Sequence, residues 1–572
     1  EGYGLNELAI RALHGKGATL IVTVDCGITA IEEAQLCREL GIDLCITDHH
    51  ECKEALPDCI AVVDPHRRDH TYPHKELSGV GVAFKLAAAL EGDQAAMLDR
   101  YSDLLCLGTI ADVMPLVGEN RTFVRRGLAA LQHPKRTGLR ALMHECGCDG
   151  HPVTAGTIGY VLAPRINAAG RMGQVLLALE LFLTDDPARA AQLAQQLCQL
   201  NRQRQNVESA IYRDAVAMLP AHERPSAIVL SKPGWHQGVV GIVASRLAEE
   251  YRCPTFLICP DGETGKASSR SYGGFNLFAA LETLSPLLES YGGHELAAGF
   301  TIRCSKIDAF RTEMTRLSRA FQESGQCRSA LEIDCAVSPA LLTLKNVAAL
   351  DELEPCGSGC PRPIFYMDGL TVEQLSEVGG GKHLRLRLSR DGQTLSAIFF
   401  SMTALRASVA PGDTVEVAFT PQINEFRGVR SVQLNLVDIR PADAHRKLCT
   451  ADRSLYQLHL HGTLAPAQAG DLLPTRSEFV ALWRYLMSHN NAGTHLDTCD
   501  CLARKVSRYA GTPCRPGHTK ICLDVFHELG LLVLSEHQLI LRITLTANGS
   551  KVDLDQSIII RRLKKQKAGE SS

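Results

Sequence analysis

The sequence predicts an α/β protein with two α/β domains joined by a long helix, followed by a small β-barrel and a small α+β domain. In residues 1–115, short apolar runs alternate with helical stretches, which is typical of β–α–β units and a parallel sheet. Residues 187–219 have almost no Gly or Pro and repeat apolar residues at helical spacing, which predicts the long helix. Residues 331–441 form short alternating segments separated by turn residues, which is typical of a small barrel.

The length and composition predict a cytoplasmic enzyme of several domains. With 572 residues, the chain is too long for one core and should divide into roughly three to five domains. No apolar run approaches the ~20 residues that span a bilayer, so no membrane partner is expected. The 21 Cys are scattered and no secretory signal is visible, which favours reduced thiols. Because the net charge is only -3, nucleic-acid binding would have to come from local basic patches.

The elements of the two α/β domains follow from the spacing of apolar residues. The long helix should end where Pro220 and Pro225 follow it, because Pro cannot continue a helix. The second α/β domain should begin with a strand at 227–230 and continue to about residue 324. In the first domain, the predicted strands are 20–24, 44–47 and 60–63, and the predicted helices are 30–40, 82–90 and 101–110.

The last two domains differ in pattern. Alternating segments at 383–388 and 414–419 predict barrel strands. Helical spacing predicts helices at 476–487 and 520–529, and two apolar runs after them predict a terminal pair of strands. The chain ends in a basic segment at 561–565, which we expect to be a solvent-exposed tail.

Acids and imidazoles follow two strands of the predicted parallel sheet. Asp25 comes directly after the first strand, and Asp48, His49 and His50 come directly after the second. Because ligands bind at the carboxyl ends of parallel strands, these four side chains should converge on one crevice if the strands are neighbours. Carboxylates and imidazoles are common metal ligands, so this crevice is predicted to be a metal site. The alternative for a lone Asp after a strand is a turn or helix cap.

Two nearby features have structural interpretations. Asp64 lies before Pro65 and is expected to be a turn acid. The loop at 79–82 contains two glycines before a helix but lacks the Lys-Ser/Thr of a P-loop, so helix capping and close packing are the expected roles of this loop.

Several motifs resemble the DHH phosphoesterases that carry a DHHA1 domain, and within them the RecJ exonuclease family. The resemblance covers roughly residues 1–441. It implies a DHH domain at 1–186, a connecting helix at 187–225, a DHHA1 domain at 226–325, an OB-fold domain at 330–442 and a C-terminal accessory domain at 454–572. The motifs, in chain order, are Thr23-Val24-Asp25-Cys26-Gly27, Asp48-His49-His50, Gly108-Thr109-Ile110-Ala111-Asp112 and Gly292-Gly293-His294.

The resemblance also implies an Asp-x-Asp motif on the first strand of the sheet. The printed sequence has no counterpart of it, because residues 1–6 resemble the segment after that motif. We expect the natural protein to carry this motif upstream. The chain as printed would then hold only part of the metal site and would lack the first strand of the sheet.

The resemblance assigns roles to the strand-end residues. Asp25, His49 and Asp112 would hold two Mn²⁺ or Mg²⁺ ions, with Asp25 between them. Hard oxygen ligands with one imidazole suit these ions, and a pair of ions can activate water and offset the charge on phosphoryl oxygens. Asp48 would orient a histidine. His50 would act on the scissile phosphate or in proton transfer.

Further residues are expected to bind the nucleic acid. Arg165 and Arg171 flank a predicted Asn-Ala-Ala-Gly turn that begins at Asn167, where we expect the scissile or an adjacent phosphate to bind. By resemblance, Ser268 and Arg270 would hold a terminal 5′-phosphate.

A second group would contact the rest of the strand. Gly292 and Gly293 allow close approach of the backbone, and His294 can contact a phosphate or a base. Arg385 and Arg387 alternate along one barrel strand and would face a single strand. Solvated charges on an antiparallel sheet would produce the same alternation.

The resemblance implies a single-stranded-DNA-specific exonuclease that degrades from 5′ to 3′ and releases 5′-mononucleotides, in DNA repair and recombination. A helicase and a single-strand-binding protein are the expected partners, and the protein is expected to be a monomer. Two alternatives stay open. One is a DHH phosphodiesterase of short oligonucleotides or cyclic dinucleotides. The other is a non-catalytic single-strand-binding or scaffold protein, which the absent Asp-x-Asp motif allows.

Overall fold

The computed structural model describes residues 4–220, 225–325, 330–489, 493–537, 539–546 and 552–569. The chain forms two compact units. The first runs to Leu219 and includes Pro225–Ser329 and Leu353–Arg362, and the second holds the other residues. Within the described ranges, no helix is both long enough and apolar enough to cross a membrane.

The first unit begins with a three-stranded parallel sheet in the order β1-β2-β3. The predicted strands are confirmed to within one residue, and so is the helix predicted at 30–40. The next two helices begin earlier than predicted, because Ser78 and Asp93 cap their first turns with side-chain oxygens. The elements are α1 (Glu7–Gly15), β1 (Leu20–Val24), α2 (Ile31–Glu39), β2 (Asp43–Thr47), β3 (Ala61–Val63), α3 (Gly79–Glu91) and α4 (Gln94–Ala111).

A helical layer follows the sheet. Its core is formed by side chains such as Leu131, Leu142, Leu162, Leu181 and Leu197, which are inaccessible to solvent. The prediction of one helix over 187–219 is confirmed, and Asp186 caps the first turn of that helix. The helices are α5 (Gly118–Leu131), α6 (Thr137–Glu145), α7 (Ala155–Thr157), α8 (Ala163–Arg171), α9 (Val175–Leu183) and α10 (Pro187–Met218).

The predicted Asn-Ala-Ala-Gly turn is wrong, because these residues lie inside helix α8. Ala168 and Ala169 are fully buried, so apolar packing holds the segment in a helix. A π-helical stretch, Ile158–Leu162, precedes α8. The wider turn accommodates Pro164, because proline has no N–H to donate to the preceding turn.

The second α/β domain of this unit is a five-stranded mixed sheet in the order β4-β5-β6-β8-β7, in which only β4 and β5 are parallel. Phe256, Phe300 and Phe310 pack against one another at its core. The elements are β4 (Ile228–Ser231), α11 (Gln237–Tyr251), β5 (Thr255–Asp261), β6 (Thr264–Arg270), α12 (Leu277–Thr283), β7 (Leu288–Gly293), β8 (Ala297–Arg303) and α13 (Ile307–Glu323).

The second unit contains a closed five-stranded barrel. Its strands neighbour one another in the order β10-β11-β12-β14-β13, and β13 pairs with β10 to close the circle. Apolar side chains alternate inward along each strand, which confirms the predicted barrel. The elements are β9 (Cys335–Ala336), α14 (Leu344–Ala349), β10 (Phe365–Val378), β11 (His383–Arg390), β12 (Gln393–Phe399), α15 (Ala404–Ala407), β13 (Thr414–Phe426) and β14 (Val429–Pro441).

The end of the second unit is an α+β domain, as predicted. Three antiparallel strands in the order β15-β17-β16 lie beside the helices of this domain. The elements are α16 (Asp443–His461), α17 (Pro466–Leu472), α18 (Arg476–Ser488), β15 (Thr494–Thr498), α19 (Cys499–Ala510), α20 (Pro516–Glu528), β16 (Leu532–His537), β17 (Ile540–Leu545) and α21 (Ile558–Ala568).

The expectation of a solvent-exposed basic tail at 561–565 is wrong. The segment belongs to helix α21, which Ser557 caps with its side-chain oxygen. Ile560 and Leu563 are buried in the core of the domain. The helix was missed in the sequence because five basic residues dominate it, and its two buried apolar residues are too few to establish a helical period.

A buried carboxylate joins the barrel to the α+β domain. Asp413 has a side chain with no solvent exposure, and it accepts hydrogen bonds from the backbone N–H of Ala410 at 2.8 Å and the Nε of Arg504 at 3.0 Å. It also forms an ion pair with Arg508. Because both arginines lie on α19, this carboxylate holds α19 against the barrel.

We expect Asp413→Ala to lower the free energy of unfolding of the second unit by about 3 kcal/mol, because it leaves the nearly buried Arg504 guanidinium without its counter-ion. Urea unfolding followed by the fluorescence of Trp483, in a Trp235→Phe background, measures this change. Asp368→Ala is the control, since Asp368 is 60% exposed in its ion pair with Arg390 and its loss should cost less than about 1 kcal/mol. Equal effects of the two variants would contradict the role of Asp413.

Candidate metal centre and phosphate-binding site

The backbone at the end of β1 turns sharply and directs Asp25 toward the second strand. Asp25 has a φ of +64°, which is unusual for a residue with a side chain, and its N–H donates to the Thr47 carbonyl at 3.0 Å. Gly79, in the first turn of α3, lies directly against the carboxylate. A Cβ at position 79 would stand 2.2 Å from Asp25 Oδ1, so only glycine leaves room for the carboxylate. The predicted close packing at Gly79 is confirmed, and it is Asp25 that packs there.

The carboxylates of Asp25 and Asp112 meet at one imidazole. His49 Nε2 lies 3.0 Å from Asp25 Oδ1 and 3.4 Å from Asp112 Oδ2, while the imidazole itself is 8% exposed. Burial lowers the pKa of His49, but the two carboxylates outweigh it, and the net pKa is raised. Burial raises the pKa of Asp112, although the charge of His49 opposes this.

Asp48 and His50 form a second pair beside the first. Asp48 is buried, and its Oδ1 lies 2.7 Å from His50 Nδ1. Its carboxylate also accepts the backbone N–H groups of Ile28 at 2.9 Å and His49 at 2.8 Å. Burial opposes ionisation, but these bonds together lower the pKa of Asp48, and the bond to Asp48 raises the pKa of His50. Asp48 therefore orients the His50 ring through Nδ1, so that Nε2 is the ring nitrogen on the side away from this bond.

These residues fit a divalent cation. Asp25, His49 and His50 each offer a ligand atom, and the three atoms lie within 4.8 Å of one another. Asp112 is close enough to His49 to contribute a second carboxylate. Two carboxylates and imidazole nitrogens form a mixed oxygen and nitrogen donor set of the kind that Mn²⁺ accepts readily. The carboxylates of Asp25 and Asp112 both lie at His49 Nε2, and a cation bound between them would reduce their mutual repulsion.

Asp64 lies next to this centre but belongs to a turn. It is buried, and its Oδ1 accepts the N–H of His66 at 2.7 Å. Burial raises the pKa of its carboxyl group. The prediction of a turn acid is therefore confirmed.

The two arginines that flank Asn167 face different surroundings. Arg165 donates to the Val161 carbonyl at 2.5 Å and lies near a thiol pair, where a hydrogen bond from Cys146, supported by Arg165, lowers the pKa of Cys198. Arg171, at the end of α8, donates to the Gly238 carbonyl in the first turn of α11 at 3.1 Å. Only Arg171 of the two lies at the junction of the two α/β domains.

Arg171, Ser268 and Arg270 come together at the start of α11. Arg270 donates to Ser268 Oγ at 3.3 Å, and burial together with the charge of Arg171 lowers the pKa of Arg270. Gly241 lets β6 approach the helix, because a Cβ there would stand 2.8 Å from Ser268 Oγ and 3.2 Å from Arg270 Nη2. Two guanidinium groups, a hydroxyl and a helix N-terminus form a favourable place for a phosphate.

Five further predicted site residues lie on or next to exposed strands. Gly292 and Gly293 end β7, the edge strand of the five-stranded sheet, and His294 follows them. Gly293 has a φ of +132°, and a Cβ there would clash with the Ala297 carbonyl at 2.5 Å. In the second unit, Arg385 and Arg387 are both exposed on β11, and Arg387 forms an ion pair with Glu373 at 3.0 Å.

A cavity of about 640 Å³ in the first unit was not predicted from the sequence. Asn167 and Arg171 line it, together with Ala111 and Val113 on either side of Asp112. Val113 has a φ of +58°, and strain of this kind at a β-branched residue is typical of functional sites. Tyr160, which is 87% exposed, also lines the cavity, and no motif marked it in the sequence.

Comparisons with protein families assign three segments of the chain. Residues 5–109 match the DHH family N-terminal domain, residues 224–319 the DHHA1 domain, and residues 333–438 the RecJ OB domain. All three matches agree with the architecture of the structure.

The chain is similar to proteins named single-stranded-DNA-specific exonuclease RecJ. It is 34% identical to the Dickeya dadantii protein over 77% of this chain and 81% of that one, and 37% identical to the Bacillus subtilis protein over 77% of this chain but 56% of that one. The crystal structure of RecJ in complex with Mn²⁺ from Thermus thermophilus superposes with a TM-score of 0.66 at 34% identity, covering 76% of this chain and 64% of that one. The chain thus spans little more than half the length of some relatives. It belongs to the RecJ family.

Proposed function

We propose that this chain carries the active site of a single-stranded-DNA-specific exonuclease that hydrolyses phosphodiester bonds from 5′ to 3′ with Mn²⁺ or Mg²⁺ and releases 5′-mononucleotides. The observation that carries the proposal is the convergence of Asp25 and Asp112 on His49 Nε2, at 3.0 and 3.4 Å. Membership of the RecJ family and the metal ions named in the T. thermophilus structures support it.

Asp25, His49 and Asp112 would hold the metal ions. Bound there, a pair of divalent ions would supply an activated water and a counter-charge for phosphoryl oxygens. Gly79 and the left-handed backbone of Asp25 keep the first carboxylate in place before any ion arrives, so little reorganisation is needed on binding.

His50 would act on the reacting phosphate. Because Asp48 engages Nδ1, the Nε2 atom of His50 is left to donate a proton or a hydrogen bond to a phosphoryl oxygen. Asp48 positions this ring and does not itself contact the phosphate.

Arg171, Ser268 and Arg270 would hold the terminal 5′-phosphate at the start of α11. Bidentate guanidinium contacts and backbone N–H groups suit a phosphate dianion, which carries more charge than an internal phosphodiester. Anchoring the 5′ end makes the enzyme measure from that end, which would set the 5′ to 3′ direction.

The other surfaces would handle the rest of the strand. His294, beyond the exposed edge strand β7, and Arg385 and Arg387 on the barrel would contact phosphates or bases downstream. We also propose that the protein acts as a monomer in DNA repair and recombination, with a helicase that exposes the strand and a single-strand-binding protein that coats it.

Asp25→Asn in the natural full-length protein tests the metal site. We expect Mn²⁺-dependent release of mononucleotides from a 5′-phosphorylated, 3′-labelled single strand to fall by roughly 10³-fold, because charge stabilisation at the reacting phosphate is lost. Asp43→Asn is the matched control, since Asp43 is an exposed acid at the opposite end of β2. If the unmodified protein binds the strand without cutting it, a non-catalytic binding protein is the better assignment, and a preference for dinucleotides would favour the short-oligonucleotide phosphodiesterase.

Gly79→Ala tests whether close packing positions Asp25. We expect the nuclease rate to fall by about 10²-fold, the cost of displacing a catalytic group by roughly 1 Å, while the thermal unfolding temperature changes little. Gly81→Ala, two residues along the same helix, is the control, because its new Cβ would meet only side-chain atoms, the nearest 3.2 Å away. A normal rate in Gly79→Ala would show that Asp25 does not need this packing.

Arg270→Gln tests the terminal phosphate site. We expect the protein to degrade 5′-phosphorylated strands faster than 5′-hydroxyl strands, and the variant to lose at least 10-fold of that preference, since a charge-assisted phosphate contact is worth about 1.5–3 kcal/mol. Lys266→Gln, an exposed cation on the same strand, should keep the preference. An unchanged preference in Arg270→Gln would remove this residue from the phosphate site.

A further inference from the structure

The C-terminal domain has the topology of a winged helix. Helix α18, strand β15, helices α19 and α20 and the hairpin β16–β17 follow one another, and the strands pair antiparallel in the order β15-β17-β16. Residues 511–515 form the turn between α19 and α20. In helix-turn-helix proteins the second helix enters the major groove and reads bases, which makes α20 the corresponding helix here.

Helix α16 covers α20 in this protein. Asp452, which is buried on α16, accepts the N–H of Gly517 at 3.0 Å and forms an ion pair with Arg515. Tyr456 on α16 donates to Asp524 on α20 at 2.7 Å. Within α20, only the last two residues are exposed. The helix that would read bases is therefore enclosed by the chain's own structure.

Helix α21 carries the strongest local concentration of positive charge in the described part of this domain. Between Ile558 and Ala568 it has five cations and no acid, and all five are exposed while Ile560, Leu563 and Gln566 face the core. Lys564 forms an ion pair with Asp555. The five cations are Arg561, Arg562, Lys564, Lys565 and Lys567.

Repulsion within the helix opposes this charge arrangement, although Arg561 donates to the Gln556 carbonyl at 2.9 Å. The pairs 561/564, 561/565, 562/565 and 564/567 place like charges three or four residues apart, where each pair repels. The helix dipole favours the two lysines of the last turn, but it does not account for Arg561 and Arg562, which lie in the N-terminal half. In a chain with a net charge of only -3, such a face is suited to a polyanion.

The composition of the face indicates which polyanion it fits. Single-strand binders combine cations with aromatic side chains for stacking, and α21 contains no aromatic residue. Helices that lie on membranes need a broad apolar face toward the lipid, whereas Ile560 and Leu563 of α21 are packed in the core and only Ile558 of its large apolar residues is exposed. Contacts to phosphates alone, without base stacking and without a free recognition helix, suit the backbone of a duplex.

We propose that α21 is a binding site for the phosphate backbone of double-stranded DNA, and that the winged-helix domain binds duplex without reading its sequence. This site goes beyond the nuclease activity and does not depend on it. On a substrate with a single-stranded tail, it would engage the duplex from which the tail emerges.

The double variant Arg561→Gln and Lys565→Gln tests the proposal. Binding of the full chain to a blunt labelled duplex is measured by fluorescence anisotropy in EDTA, so that no metal-dependent cleavage contributes. We expect roughly 10-fold weaker binding at about 0.1 M salt, and a slope of log affinity against log salt that is smaller by about 2. Both substitutions remove repulsion within the helix, which offsets the loss of the bond from Arg561 to the Gln556 carbonyl, so the folding of the helix should be retained.

The double variant Arg476→Gln and Arg484→Gln is the matched control, because it removes two exposed cations from α18 of the same domain. It should bind duplex with unchanged affinity. The proposal is overturned if the unmodified chain does not bind duplex, if both variants lose affinity equally, or if the α21 variant loses affinity only for single strands or for anionic phosphatidylserine vesicles. Nuclease assays on short single strands, read separately, report on the proposed function and should be unaffected by the α21 variant.

Discussion

The contact between Asp25 and His49 at the ends of two parallel strands is the interaction on which the candidate centre depends. It needs an Asp in the left-handed region of the backbone and a glycine at position 79, because the carboxylate occupies the space of a Cβ. A left-handed Asp and a glycine within a helix each cost conformational free energy. Contacts with the surrounding sheet and helix α3 offset that cost. Strain and close packing thus hold the carboxylate in a single position that suits a cation.

The proposed phosphate-binding site arises in a different way, from the meeting of two α/β domains. Arg171 ends a helix of the first domain, while Ser268 and Arg270 lie on a strand of the second, and α11 provides its N-terminus between them. Glycines at 238 and 241 allow these elements to approach closely. Burial and the charge of Arg171 lower the pKa of Arg270, so an anion placed between the two guanidinium groups would relieve their repulsion.

Buried carboxylates organise the second unit. Asp413 holds α19 against the barrel, and Asp452 holds α16 over α20. Each pairs with at least one arginine and accepts a backbone N–H, and these contacts offset part of the cost of burying the charge. The same contacts that stabilise the winged-helix domain enclose its second helix, and they leave α21 as the cationic surface of the domain.

The sequence by itself determined the first strands and helices, the long helix α10, the barrel, and the acids and imidazoles at the strand ends, because these depend on local periodicity and on the geometry of parallel sheets. It also pointed to the RecJ family through its motifs. Tertiary structure decided what local patterns do not contain: that residues 167–170 pack as a helix, that Arg165 and Arg171 face different surroundings, and that the basic segment at 561–565 is a docked helix. In each case the deciding factor was burial against residues distant in the chain, which no local spacing reveals.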